Sequence, residues 1–333
     1  MRALAAMLVL LGLPGRADAQ LRWPGDPRPS PMAARAEEEG AMLNFEALMP
    51  TPLLPRALIE LSGLSGARAT LRRMAEQRYE RASSLGHDTP AVLAARCEAA
   101  ARRRDHALAR PLCERVIALA PEGSAAQTAR FELAFMASIE RRDREAVALY
   151  RALLRAPLGA SFEAIVWGNL AESDVALGAL DDAVDAYEHA TALDPERPLH
   201  WLGLALTQDR LGTPWVEAGL RAYATAAQRA PRGLTRGEAL VAALLSDSVV
   251  FVPAYERHAH MALAFELSAE ALRRDPGPLD AALATRGLIN DALQSWSAYR
   301  DAARPDDPWR AQAERHLRAL TARLRTLGST PPR

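Results

Sequence analysis

The stretch Tyr255-Glu256-Arg257-His258-Ala259-His260 gathers the side chains best suited to hold a metal or move a proton. On a helix Glu256 and His260, at i and i+4, share a face, whereas His258 and His260 project to nearly opposite sides. Two ligands then converge, one short of the three protein ligands that a catalytic zinc takes. A His-Glu-x-x-His pattern, which aims two imidazoles and a base together, does not occur. Neither does a Gly-x-Ser-x-Gly elbow, a phosphate loop or a Gly-x-Gly-x-x-Gly turn. The expectation is therefore no metal, no cofactor and no enzyme. The alternative is an all-helical periplasmic enzyme or small-ligand binder, its pocket near Tyr255 and His258 in the segment 237–276.

Charge gives two further candidates. Arg102-Arg103-Arg104 is either an anion contact or a solvated turn between helices. Asp181-Asp182 opens a helical stretch, where negative charge complements the helix dipole. The chain carries 41 basic and 41 acidic residues, and every basic one is Arg. A neutral chain without a dominant basic cluster is poor nucleic-acid material. Abundant Ala with no Lys suits a bacterial chain from a GC-rich genome. Helix-forming Ala, Leu, Arg and Glu dominate, which predicts an all-α protein.

At the N-terminus Arg2 precedes an apolar run from Ala3 to Leu13, and Ala17-Asp18-Ala19 supplies a small-x-small site before Gln20. This is the pattern of a secretory signal peptide over residues 1–19, so export to the periplasm or cell surface is expected. Nothing later in the sequence supplies the twenty or so apolar residues of a membrane span. Residues 20–49 form a Pro-rich leader, with Pro24, Pro27, Pro29 and Pro31, and a first helical segment from Met32. Helical patterning continues over 50–325, and 326–333 is a polar tail.

The elements that must position these groups announce themselves by a period. From Ala164 the sequence carries Trp167, Leu170, Ala171, Gly178, Ala183, Tyr187, Ala190 and Pro195. Trp201, Leu204, Ala205, Gly212, Tyr223, Ala226 and Pro231 repeat that order, and Trp167 to Trp201 is a step of 34. Ala183, Tyr187 and Ala190 fall on one helical face, Gly178 suits a turn, and Pro195 ends a helix. Weaker units hold Leu133, Ala134, Ala146 and Tyr150, and before them Leu93, Ala109, Cys113 and Val116. An earlier second helix holds Ala75, Tyr79 and Ala82. Gly287, Ala292 and Trp296 are read as one more degenerate pair, and the helix from Trp309 to Leu324 as a terminal cap.

These motifs resemble the tetratricopeptide repeat family, specifically over residues 93–231 and loosely elsewhere. The resemblance implies a right-handed superhelical solenoid of stacked antiparallel helix hairpins with a C-terminal capping helix. It implies a concave groove lined by first-helix positions, here Phe131, Phe135, Ile165, Gly168, Asn169, Glu172, Leu199, Leu202 and Leu206. Such residues either line a groove for a protein or peptide partner or form the core between repeats. Only Asn169 matches the charged carboxylate clamp of some family members, so that activity is not expected. The register also places Cys97 and Cys113 on paired helices of one hairpin. There they form a disulfide suited to an oxidising compartment, or remain buried thiols, which the strict geometry of a disulfide favours. The function expected is an exported interaction scaffold of a bacterial envelope or surface assembly.

Overall fold

A computed structural model describes residues 30–48, 56–229, 236–245, 251–275 and 281–328. The signal-peptide-like segment and most of the Pro-rich leader lie outside these residues. The described chain is all-α, with fourteen helices and no strand among the described residues. They are α1 (Pro31–Leu48), α2 (Arg56–Ser84), α3 (Pro90–Arg102), α4 (His106–Leu119), α5 (Ser124–Ile139), α6 (Asp143–Leu153) and α7 (Ala160–Ala176). There follow α8 (Leu180–Leu193), α9 (Pro198–Leu211), α10 (Val216–Arg229), α11 (Arg236–Leu244), α12 (Glu256–Arg274), α13 (Ala281–Ala302) and α14 (Arg310–Gly328). None is long and apolar enough to cross a membrane. The chain forms two compact units, one ending at Met136 and one beginning at Ala137, within α5.

Local signals explain the helix boundaries. Ser30 bonds the Ala33 amide through its hydroxyl at 3.1 Å and Pro31 is the first residue of α1, so Pro31 starts a helix rather than extending the leader. Thr89 Oγ1 accepts from Val92 N at 3.2 Å and Asp105 Oδ1 from Leu108 N at 3.1 Å, capping α3 and α4.

One closing turn recurs after α2, α3, α5, α7 and α9. Gly86, Arg104, Arg141, Gly178 and Gly212 adopt φ between 60° and 80°. In each case this residue's amide bonds the carbonyl three residues back, and the next amide bonds the one five back. These bonds satisfy carbonyls that a helix end otherwise leaves orphaned. Glycine enters this conformation without strain, whereas Arg104 and Arg141 carry a Cβ there.

The repeat positions form the buried seam of the second helices. Ala75, Ala109, Ala146 and Ala183 are inaccessible to solvent, as are Cys113 and Tyr150 at the aromatic position; Tyr79 and Tyr187 there are buried. In the first unit Leu93, Ala100, Val116, Ala129 and Met136 join one apolar cluster around Cys97 and Cys113. Burying a Leu or Val side chain of this kind contributes about 1.5–3 kcal/mol. In the second unit α7 pairs with α8, α9 with both α8 and α10, and α12 with α13.

Two expectations change. Gly287, Ala292 and Trp296 lie in one continuous helix, α13, because a lone Gly in an otherwise helical sequence costs too little to break it. Helix α14 runs to Gly328, past the boundary placed at residue 326.

Candidate functional site

The expected groove positions fall on both units. In the first, Phe131 and Phe135 stand one turn apart on α5, half-buried, their rings parallel within 3° and 6.2 Å apart. Glu132 between them turns inward. Burial pushes its carboxyl up to about 8, with Glu98 adding to the shift and Arg102 opposing it. Cys97 and Cys113 lie in the same unit with Cα atoms 5.4 Å apart and their sulfurs joined. The preference for free thiols therefore gives way to a bridge between α3 and α4. The Arg102–Arg104 run is engaged locally: Arg102 pairs with Glu76 and Glu98, Arg103 with Glu76, and Arg104 forms the turn.

In the second unit Ile165 is half-buried, and the Asn169 side chain donates to the Ile165 carbonyl at 2.8 Å, inside its own helix. Glu172 remains substantially exposed and accepts a short hydrogen bond from the Tyr187 hydroxyl. Gly168 does not line a surface. It is buried against His200, and a Cβ on it would stand 2.8 Å from His200 Nε2. Burial, aided by Arg197, lowers that imidazole to about 4 and keeps it neutral.

On α9, Leu199 is half-buried, but Leu202 and Leu206 are core residues with 0% and 2% exposure. They leave the expected groove for a physical reason. Leu202, Leu206 and Asp209, at i, i+4 and i+7, share one face of α9, and α9 is packed among α7, α8, α10, α11 and α12. Trp167 and Trp201 hold their own hairpins instead. The Trp167 ring stacks on His189 at 4.5 Å, and the Arg221 guanidinium lies over Trp201, 5.1 Å from the ring centroid.

A polar cluster joins α9, α12, α13 and α14. His316 lies 2.9 Å from Asp209 through Nε2 and 2.7 Å from Glu266 through Nδ1. Its ring stacks on Trp296 at 4.5 Å and 22°. Trp296 Nε1 donates to Glu266, and Gln312 Nε2 donates to Asp209. Burial disfavours the charge on His316, but the bonds to Asp209 and Glu266 outweigh it and raise the imidazole to about 9. Beside it Arg210 Nη2 meets Glu256 at 2.6 Å, and its guanidinium lies 5.0 Å over the Trp309 ring. Motif spacing does not reveal this cluster, because its members lie up to 107 residues apart.

The Glu256–His260 pair shares a face as expected, but its groups are committed elsewhere. Glu256 faces Arg210, while His260 Nδ1 meets the Glu256 carbonyl at 3.0 Å. The Tyr255 and Tyr299 hydroxyls donate to Asp307 at 2.7 and 3.0 Å, and Asp307 also receives the Trp309 amide at 2.9 Å. Burial, followed by this bond to Asp307, pushes Tyr255 up to about 12. His258 is lowered by burial and Arg257. Among the described residues no three His, Cys, Asp or Glu side chains are arranged to hold a metal ion.

No protein-family model matches the chain, and no curated protein matches it either. Among solved structures, the chain is similar to the crystal structure of yeast Tom70, at 14% identity and a TM-score of 0.40. That match covers 96% of this chain and 70% of the other. It is also similar to the P58(IPK) TPR domain, at 13% identity, covering 89% of this chain and 96% of that one, with a TM-score of 0.25. The repeat fold is read from the hairpins and turns of the chain itself.

Proposed function

We propose that the chain is an exported, tetratricopeptide-like interaction scaffold of a bacterial envelope or surface assembly. The observation that carries this reading is the Phe131–Phe135 pair, an apolar step left half-open on a first helix. Two anchors one helical turn apart suit a partner protein that offers an apolar helix face or an extended segment. Hairpins stapled by repeated turns and a buried seam hold such a surface ready, which limits the ordering cost of binding. In the second unit Ile165, Leu199 and Glu172 are the corresponding partly open positions. Export is supported by the Ala3–Leu13 run with its Ala17-Asp18-Ala19 site, and by the Cys97–Cys113 bridge, which persists in oxidising compartments.

Proximity crosslinking in the native cell tests the reading, comparing the wild type with Phe131→Ser/Phe135→Ser and with a control, Leu119→Ser, at an exposed site. A specific protein captured by the wild type and the control but lost from the double variant supports it. Equal capture by a folded double variant overturns the assigned surface. Fractionation followed by N-terminal sequencing tests export, with a mature chain starting at Gln20 as the expected result.

A further inference from the structure

The hairpin seams are apolar, built from Ala, Tyr and Leu. The joint between α14 and α9 is different in kind. Gln312 and His316 both reach the Asp209 carboxylate, and Arg315 Nη2 lies 3.4 Å from the Asp209 carbonyl. The second carboxylate, Glu266 of α12, meets the other side of the His316 ring, and Trp296 of α13 lies under it. The joint therefore centres on one cation shared between two acids, with Arg210 Nε donating to Gln312 Oε1 at 3.4 Å beside it.

We propose that the contact of α14 with the C-terminal end of α9 is a releasable latch, closed by His316 shared between Asp209 and Glu266. A doubly protonated imidazole donates to both carboxylates at once. A neutral ring has one N–H, so deprotonation leaves one of the two acids without that donor. The charged groups around the ring do not replace it. Arg210 is engaged by Glu256 and, on α14, reaches Gln312 Oε1 at 3.4 Å rather than either acid, and Arg323 of α14 approaches Glu270 at 3.7 Å. Arg315 offers its guanidinium to a backbone carbonyl. Release frees the C-terminal end of α9 at Asp209.

Helix α14 also packs along α13, so release from α9 registers as a loss of its amide protection rather than as full detachment. The experiment is hydrogen–deuterium exchange on the full chain between pH 7 and pH 9, corrected for the intrinsic rate at each pH, with α8 as internal reference. In the wild type, protection of α14 falls by about tenfold per pH unit through this window while α8 holds, because opening is linked to the loss of one proton. In His316→Gln, α14 protection is low already at pH 7 and independent of pH. Wild-type α14 and α8 protection that track one another across the window overturn the latch. So does a His316→Gln chain with wild-type protection. Should the variant not fold, the wild-type comparison decides alone.

Discussion

The Tyr187 ring of α8 rests directly on Gly203 of α9, where a Cβ would stand 2.3 Å from the ring atoms. One hairpin thus docks on the next through an aromatic side chain seated on a residue without a side chain. Tyr187 cannot yield, because it is buried and its hydroxyl is held by Glu172. Gly203→Ala is expected to destabilise the second unit by about 2 kcal/mol, the strain of overpacking exceeding the helical advantage of Ala. Gly287→Ala is the matched control. It lies in α13 with nothing within 4 Å of its would-be Cβ, and should stabilise by about 0.5–1 kcal/mol. Urea denaturation of the two variants checks both signs.

Arg104 and Arg141 occupy the turn position that glycine fills at Gly178 and Gly212, with φ of 60° each. A left-handed conformation costs a residue with a Cβ about 1–2 kcal/mol, partly offset by the greater freedom of glycine in the unfolded chain. Arg104→Gly should therefore raise stability by about 0.5 kcal/mol, read as a higher urea midpoint. Arg141→Gly should gain less, because Arg141 Nε also meets Asp143 at 3.2 Å on the surface.

These two arginines show where a single sequence stops being legible. Trp167, Gly178, Ala183, Tyr187 and Pro195 are readable because each residue type suits its position. Arg104 and Arg141 occupy equivalent turns with a residue that conceals them, so the upstream repeats look degenerate while their backbone is not. Leu202 and Leu206 escape the expected groove for another reason. Periodicity identifies a shared helix face but not what covers it, and α9 is packed by later helices, α11 and α12 among them, as well as by its own hairpin. Gly287 suggests a turn because glycine usually breaks periodic patterns; the helix on either side is strong enough to carry it.

The Cys97–Cys113 bridge closes a loop with a sequence separation of 16 between α3 and α4. Constraining the unfolded chain over a loop of that size contributes about 3 kcal/mol. Reduction is expected to lower the stability of the first unit by that amount and to leave the second unit unchanged. The chemical check is alkylation of the unfolded, unreduced protein. No mass shift is expected before reduction and two adducts after it.

The His316 cluster predicts how stability depends on pH. Its folded value, about 9, lies above the ordinary 6.5, so its contribution is complete below about 6.5 and is lost as pH rises through about 9. At most about 3 kcal/mol is at stake over that window, because a tenfold change in proton affinity corresponds to about 1.4 kcal/mol. Asp209 has the opposite sign. Burial opposes its charge, but His316 and Gln312 hold its carboxyl below the usual range, so its contribution is present at neutral pH and lost under acid. Asp209→Asn removes one of the two anions that hold the His316 proton. The variant should be less stable than the wild type at pH 6.5, and its stability should fall less between pH 6.5 and pH 9. Urea unfolding followed by tryptophan fluorescence measures both, since Trp296 lies against the His316 ring. An unchanged pH slope in Asp209→Asn would show that Asp209 does not hold the proton on His316.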